Sequence, residues 1–532
     1  MNNLKQYRIF FLAVLSLCLT GCSDWDDHYD ADQARTGAAN LYELLSHDSN
    51  TSSFANMLAR VGYDKVLSAS QTYTVFAPNN EALAGVDLND DALVKRIVLN
   101  HIARYTQPTS TSTAKGVRML NGKVYHFDSS GAFNGADIVA GNEAASNGLI
   151  HEMSSQIPYA YNIYEYLQDH ADYSKLYNFI HQYDSITFDK DNSVEIDIDD
   201  QGRPIYDSVM VSYNRLLDDK TYGLGQIDNE DSVYTMILPD NGAWDKAYAR
   251  LSPSFVCYNP VQAVADSIQD IRTCQAIVGD LIYRGYHPQP SAEDSLTSTT
   301  GSVISSPASL FAGATLTKAS NGCYATTGSL NYDNIETWNK PIEVEGEVQE
   351  GRTYNNTLTA VYTRNVTAES LVSGVSGDSY IEVMPISSTT NPVVIFDIPN
   401  VLAGTYNIYA VFLPSTVTGE AESPDSTRIS FTLNYQNNKG RQTSKTVRST
   451  SSLALITSGT KAVKMTVLEN FTFPVSNTTD RLWLMEEGHN AADVETTTHL
   501  SIQTNVTARE FSSGKYARSF RLDKIIFEPV KK

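Results

Sequence analysis

Basic residues are in short supply. The 532-residue chain carries 39 Lys and Arg against 61 Asp and Glu, a formal net charge of −22. A polyanionic partner needs a basic footprint, so nucleic-acid binding and docking on anionic lipid by charge are both excluded as roles. Cysteine is scarce too, with five residues, and no Cys-x-x-Cys or Cys/His metal spacing occurs. Cys18 and Cys22 sit at the amino terminus, which leaves Cys257, Cys274 and Cys323. That odd number is compatible with one disulfide or with buried thiols, and with no disulfide framework. The 30 Gly and 18 Pro are too few for a collagen or a low-complexity linker. Catalytic signatures are missing as well. There is no Gly-x-Ser-x-Gly elbow and no P-loop. His151-Glu152 lacks the second His of a zincin helix, and Gly223-Leu224-Gly225 lacks the third Gly of a dinucleotide loop. The reading is therefore non-enzymatic. The hydrophobic fraction is 41%, enough for buried cores. At about 100–200 residues per domain, the length suggests three or four domains.

The amino terminus is a targeting segment. Lys5 and Arg8 precede an apolar run from Ile9 to Leu19, which is short of the roughly 20 apolar residues of a bilayer span. Leu19-Thr20-Gly21-Cys22 resembles a bacterial lipobox, which implies cleavage after residue 21 and lipidation of Cys22. The next residues, Ser23-Asp24-Trp25-Asp26-Asp27, resemble the acidic surface-export signal of Bacteroidota-type lipoproteins, with Ser23, Asp24, Asp26 and Asp27 as the signal. Residues 1–21 are thus expected to be a signal peptide and 22–37 an acidic tether. Later in the chain no apolar run is long enough to span a membrane, so the lipid would be the anchor.

Tyr73-Thr74-Val75-Phe76-Ala77 alternates as a strand and Pro78-Asn79-Asn80 ends it. Glu81-Ala82-Leu83 then reads as a short helix, capped by the Asn. Asn121-Gly122 between two short alternating runs marks a hairpin. The segment from Thr74 to Leu83, the pair Asn100-His101 and the segment Asn147-Gly148-Leu149-Ile150-His151-Glu152-Met153 resemble, in order and spacing, the signatures of fasciclin domains. One such domain would span 38–160, with His101 as a core histidine. A diverged copy would span 161–335. Tyr234 to Trp244 resembles the first signature, and Ser320-Asn321-Gly322-Cys323-Tyr324 echoes the closing one without its Ile-His. Phe188 to Val211, in this copy, reads as an inserted hairpin.

From residue 336 helical periodicity gives way to short strands: Val393–Ile398, Tyr406–Phe412, Ile429–Tyr435, Ala462–Val467 and Phe520–Phe527. The stretch 336–532 resembles the galactose-binding-like jelly roll of carbohydrate-binding modules. The fold class expected is therefore multidomain, with two α+β fasciclin domains and an all-β jelly-roll sandwich. Flat aromatic rings would face a sugar, and Trp338, Tyr354, Tyr380 and Trp483 are the candidates. In calcium-stabilised modules of that type, acids of the first strand meet an Asp of the last. Glu343, Glu345 and Asp523 occupy those places as a candidate Ca2+ set. Asp-Ser followed by an apolar residue or Thr recurs at Ser185, Ser208, Ser232, Ser267, Ser295 and Ser426, resembling the O-glycosylation sequon of exported Bacteroidota-type proteins. The resemblances together imply a surface-exposed outer-membrane lipoprotein that binds a glycan or other nutrient polymer, docks on a TonB-dependent nutrient-uptake complex, or does both. The alternative is an adhesin that binds host or neighbouring-cell protein through its fasciclin domains.

Overall fold

A computed structural model of the chain describes residues 39–198, 204–218, 223–330, 337–419, 425–477 and 496–530. It divides into two compact units. One comprises Met1–Asn162 with Asn229–Asp231 and Ala319–Asn321. The other comprises Ile163–Asp228, Ser232–Lys318 and Gly322–Lys532.

The first unit opens with three short helices, α1 (Leu41–His47), α2 (Ser52–Arg60) and α3 (Tyr63–Ser68). Asn40 starts α1 through a capping box with Glu43. The strand β1 (Tyr73–Pro78) is buried along its whole length, because it is a central strand covered on both faces. The sheet also contains β2 (Ile102–Arg104), β5 (Ile138–Ala145) and β6 (Gly148–Met153), in the order β2-β1-β6-β5, with β6 parallel to β1. Between β2 and β5, β3 (Val117–Arg118) and β4 (Val124–Tyr125) form the expected hairpin around Gly122, whose φ is +86°. Asn79 caps residues 80–85, but as a turn; the short helix expected at Glu81–Leu83 does not form, and α4 (Asp91–Asn100) starts only at its own cap, Asp90. One side of the sheet packs Leu41, Phe54, Leu58, Val94 and Val98. The other side packs Phe76, Phe127 and Phe133, with the Phe76 and Phe133 rings stacked 3.9 Å apart. Gly148 has a φ of +157°, and a Cβ there would lie 1.9 Å from the Tyr73 carbonyl oxygen, so the close parallel approach of β6 to β1 requires glycine. Lys123 is fully buried in this unit, its Nζ 2.7 Å from Glu230 Oε1.

The second unit repeats the α+β topology and adds the sandwich. After α5 (Ile163–Asp169) and α6 (Ser174–His181), the insertion forms the long hairpin β7 (Asp184–Ile198) and β8 (Pro204–Asn214), a two-stranded sheet of its own. The main sheet contains β9 (Tyr234–Pro239), β10 (Ile282–Arg284), β13 (Thr315–Ala319) and β14 (Gly322–Thr327), in the order β10-β9-β14-β13. Helices α7 (Asn241–Leu251) and α8 (Gln262–Val278) separate β9 from β10, and the small hairpin β11 (Leu296–Thr297) and β12 (Val303–Ile304) lies between β10 and β13. The weaker closing motif does make its strand: Gly322 faces Tyr234 as Gly148 faces Tyr73, and its Cβ would meet the Tyr234 oxygen at 1.8 Å. Tyr324 pairs with Met236 where Ile150 pairs with Val75, and Ala325 pairs with Ile237 where His151 pairs with Phe76.

The sandwich sets one antiparallel sheet against another. The first has the path β17 (Thr359–Asn365), β18 (Ser379–Pro385), β25 (Phe520–Pro529), β20 (Gly404–Leu413) and β23 (Val463–Phe473), with β15 (Ile342–Glu345) also paired to β25. The second has the order β16 (Arg352–Thr353), β19 (Val393–Asp397), β24 (His499–Thr504), β21 (Ile429–Gln436) and β22 (Gln442–Val447). Alternate residues of both sheets, among them Ile381, Phe396, Tyr406, Phe412, Phe431, Leu500 and Phe527, fill the core. Strands 359–365, 379–385, 442–447 and 499–504 go beyond those read from the sequence.

The second α+β domain and the sandwich share a joint. The amides of Ala403 and Ser476 donate to the carbonyls of Ser254 and Val256 at 2.9 and 2.7 Å. Arg272, 4% exposed, donates from Nη1 to Ser476 Oγ at 2.9 Å and lies over the Phe255 ring.

Candidate functional site

The four aromatic candidates have separate fates. Tyr380 is 1% exposed and packs with Leu413 and Val417. That corrects its reading as a ligand-facing ring: its strand neighbours Ile381 and Val383 face the sandwich core, and on the opposite face Val375, Leu413 and Val417 cover Tyr380. Trp483 lies outside the described residues. Trp338 is half-buried beside the second α+β domain, 5.9 Å from the Phe255 ring. Tyr354 is 40% exposed and lines an open cavity of about 360 Å3.

The Tyr354 cavity lies where β16 and β17 leave the sandwich, with Asn355, Leu358, Asn391, Val393 and Ile395 completing its wall. A tight turn shapes it. Asn355 Oδ1 accepts from the Thr357 amide at 2.9 Å, and the Asn355 carbonyl accepts from Leu358 and Thr359 at 3.0 and 2.8 Å. This Asx turn holds Tyr354 and Leu358 out on the same loop. Asn391 belongs to the frame: its Oδ1 accepts from Thr504 Oγ1 and the Val506 amide, and its Nδ2 donates to the Val506 carbonyl. Asn355 Nδ2 has no protein partner among the described residues, so it can donate to a ligand. The lining contains one aromatic face, amides, hydroxyls and aliphatic walls. None of its side chains is a carboxylate, a histidine or a lysine, and the ring, amides and aliphatic walls have the chemistry for holding a ligand.

The expected calcium set is not assembled. Register places Glu345 opposite Lys524 on β25 and Glu343 diagonal to it. Lys524 Nζ takes Glu343 Oε2 at 2.6 Å, which removes Glu343 from the set. Among the described residues no group of three or more His, Cys, Asp or Glu is placed to hold a metal ion. Glu345 and Asp523 do meet, around Ser376: its amide donates to Asp523 Oδ1 at 3.0 Å and its Oγ to Glu345 Oε1 at 2.8 Å. Glu347, which sequence reading missed, joins them. Glu345 Oε2 and Glu347 Oε2 are buried without hydrogen-bond partners among the described residues. Burial, with the Glu345 and Glu347 charges nearby, pushes the Asp523 carboxyl up to about 6.

Residues 49–157 match the Fasciclin domain family. The two buried histidines of this domain are held by backbone groups. His101 is 1% exposed; its Nε2 accepts from the Ile157 amide at 2.9 Å, so Nδ1 carries the hydrogen donated to the Ile97 carbonyl at 2.7 Å. Burial pushes its pKa down to about 4. His151 Nδ1 accepts from the Asn142 amide while Nε2 donates to the Gln107 carbonyl. Asn147, of the closing motif, uses all its polar atoms: Oδ1 accepts from Leu41, and Nδ2 donates to the carbonyls of Leu67 and Ala69.

The solved FAS1 domain pair of the insect cell adhesion molecule fasciclin I is similar over 52% of this chain and 95% of its own, at 14% identity and a TM-score of 0.19. A Paenibacillus xanthan lyase is similar over 36% of this chain, at 14% identity and a TM-score of 0.21, and the match spans 13% of the lyase. The CBM22-1 xylan-binding domain of Paenibacillus barcinonensis Xyn10C is similar over 36% of this chain and 94% of its own, at 13% identity and a TM-score of 0.21. No curated protein matches the chain.

Of the sequon serines, Ser185, Ser267 and Ser295 are exposed, and Ser232 and Ser426 are half-buried. The Ser208 side chain lies outside the described residues. So do Cys22, Ser23, Asp24, Asp26 and Asp27. Cys257, Cys274 and Cys323 are free thiols, which closes the alternative left open by their odd number. No helix among the described residues is long and apolar enough to cross a membrane.

Proposed function

We propose that this chain is a non-catalytic binding protein whose sandwich holds a glycan at the Tyr354 cavity. The observation that carries the reading is the cavity's lining: an exposed aromatic ring beside the Asn355 amide donor, with no carboxylate, histidine or lysine. A sugar's C–H face packs on such a ring and its hydroxyls accept from such a donor. The amino-terminal sequence supports anchoring through lipid at Cys22 on the outer membrane, with Ser23, Asp24, Asp26 and Asp27 directing it outward and the fasciclin domains acting as spacer and docking surface beside a TonB-dependent transporter. The sequon serines are proposed as O-glycan acceptors, with the exposed Ser185, Ser267 and Ser295 the most accessible.

Affinity electrophoresis of the full chain through gels containing soluble polysaccharides tests the binding. Retardation is expected on at least one polymer and is expected to be lost in Tyr354→Ala, with an unchanged circular dichroism spectrum. Equal retardation of both proteins removes Tyr354 from the site, and no retardation on any polymer refutes the glycan reading. Cys22→Ala should move the protein from the membrane fraction to the soluble fraction, and a transporter should be recovered with the wild type from detergent extracts.

One observation favours the adhesin reading. Tyr105 is 71% exposed and has a φ of +66°, a left-handed conformation that costs a bulky residue about 1–3 kcal/mol. The second copy puts Gly285 in the same place. Thr74 Oγ1 donates to the Tyr105 carbonyl and accepts from the Gln107 amide, just as Thr235 Oγ1 bridges Gly285 and His287. A strained, exposed Tyr where the fold accepts Gly is a feature of a contact surface. Tyr105→Gly should raise the stability of the first domain and lower adhesion to protein-coated surfaces; unchanged adhesion would remove this support.

A further inference from the structure

The acidic excess of the chain is not evenly spread. From residue 426 to residue 468 there is no Asp or Glu, and there are seven Lys or Arg. Two of the seven are paired, Arg428 with Glu510 at 2.6 Å and Lys464 with Glu528 at 4.0 Å. The other five, Lys439, Arg441, Lys445, Arg448 and Lys461, are exposed, and none has an acidic partner among the described residues.

The fold gathers them on one edge of the sandwich. β22 is the last strand of its sheet and β23 the last of the other. The Tyr435 ring of β21 packs on Phe471 and Phe473 of β23 at 5.1 and 5.9 Å, so the two strand edges lie on the same side. Lys439 and Arg441 stand at the tip of the β21–β22 hairpin, Lys445 within β22, Arg448 just beyond it and Lys461 just before β23. At about 3.4 Å per residue, Arg441, Lys445 and Arg448 mark out roughly 20 Å of edge. Register sets Lys445 opposite the core residue Leu433, and its long stem carries the ammonium past the open edge to water. The tip is fixed: the Tyr258 ring lies against Gly440, where a Cβ would come within 2.1 Å of it, and Tyr258 stays 39% exposed.

A lone lysine is enough to guard an open strand from pairing with another chain. Five cations with no acid among them exceed that need and make a place for negative charge. Repulsion from the acidic remainder of the chain is screened beyond about 10 Å at 0.1 M salt, so an anion on this edge answers to its nearest charges. Between the cations stand the exposed amide and hydroxyls of Gln442, Ser444 and Thr446. Leu453 is the one large apolar side chain exposed within 426–468, so the edge lacks the aromatic and aliphatic anchors of a protein interface. A nucleic-acid strand stacks successive bases on several rings, and Tyr258 is one ring.

We propose that this basic edge binds a polyuronate, an unbranched acidic polysaccharide that lays its carboxylates on Arg441, Lys445 and Arg448 and its hydroxyls on the polar side chains between them. Guanidinium–carboxylate bonds are charge-assisted, and a sugar ring at the hairpin tip packs its C–H face on Tyr258. The edge shares no residue with the lining of the Tyr354 cavity, so a polymer here is independent of any ligand held there.

The test is calorimetric titration of the full chain with polygalacturonate, its methyl ester, poly-L-glutamate and oligothymidylate, at about 50 and about 200 mM NaCl. Saturable binding of polygalacturonate is expected, about tenfold weaker or more for the uncharged ester. It should also weaken about tenfold at the higher salt, as counterions released on binding are held in solution at greater cost. Lys445→Gln with Arg448→Gln should cost about tenfold. Adding Lys439→Gln and Arg441→Gln should abolish binding, with an unchanged circular dichroism spectrum. This fourfold variant should keep the wild-type retardation on neutral polysaccharide. The proposal is overturned by no saturable polygalacturonate signal, by equal affinity for the ester, by poly-L-glutamate or oligothymidylate binding as tightly, or by undiminished binding in the fourfold variant.

Discussion

Asp523→Asn should make the sandwich more stable at neutral pH, against the usual direction of a buried substitution. Asp523 is 2% exposed, and burial, together with the charges of Glu345 and Glu347, raises its carboxyl pKa from 3.8 to about 6. The Ser376 amide and Lys524 pull the other way but do not win. The folded state therefore holds this proton up to about pH 6, whereas the unfolded chain releases it near 4. Stability must fall as pH rises across that window, and above pH 6 the whole deficit is present. About two units at 1.36 kcal/mol each is about 3 kcal/mol as an upper figure. The asparagine keeps Oδ1 for the Ser376 amide and removes one of three neighbouring negative charges. Scanning calorimetry of the full chain at pH 7.5 and pH 4.5 reads the effect on the sandwich transition. The variant should melt higher at pH 7.5 and by a clearly smaller margin at pH 4.5, near the lower end of the window. A variant that melts lower at pH 7.5 would refute this reasoning, because the Asp523 charge would then be stabilising, as it would be if a cation offset the three carboxylates.

The first unit should respond to acid in the opposite sense. His101 has its pKa pushed from 6.5 down to about 4, so the folded state stays neutral while the unfolded chain takes up a proton below 6.5. That stability, about 3 kcal/mol, is present above pH 6.5 and is lost as pH falls to 4; His101→Gln should flatten the pH dependence of the first transition. Gly148→Ala should prevent the fasciclin domain from folding, and Gly322→Ala the second α+β domain, since each Cβ would lie within 2 Å of a carbonyl oxygen; limited proteolysis would show which part is lost. Lys123→Ala leaves Glu230 without its closest cation and should lower the melting of the first unit by about 3 kcal/mol in unfolding free energy. Arg272→Ala removes a buried donor from the joint and should cost about 2 kcal/mol. It should also loosen the joint, which faster amide exchange at Ser476 would report.

Local chemistry in the sequence determined a good deal. The Thr74–Leu83 and Asn147–Met153 motifs specify a parallel strand pair, because Pro78 must end β1 and only Gly148 can pass the Tyr73 carbonyl. Those are backbone constraints, readable one residue at a time. The second copy was legible for the same reason, through Asn321-Gly322, although its Ile-His is gone: the glycine, not the histidine, lets β14 close. The helix expected at Glu81–Leu83 failed because Asn79 caps a turn equally well, and a three-residue segment has no length with which to choose. The candidate site was legible only in part. Exposed and buried rings share one alphabet, so Tyr354 and Tyr380 looked alike until the fold left one on an open loop and covered the other with Val375, Leu413 and Val417. Glu343 looked like a ligand until the register of β15 on β25 put Lys524 within its reach. Glu347 and Asn355 drew no notice, since each matters only through neighbours far along the chain or through the shape of a turn. The sequence by itself determined the repeat, its turns and its acidic, cysteine-poor character. Which side chains meet was decided by sheet register and domain packing, because those depend on long-range contacts that no local pattern encodes.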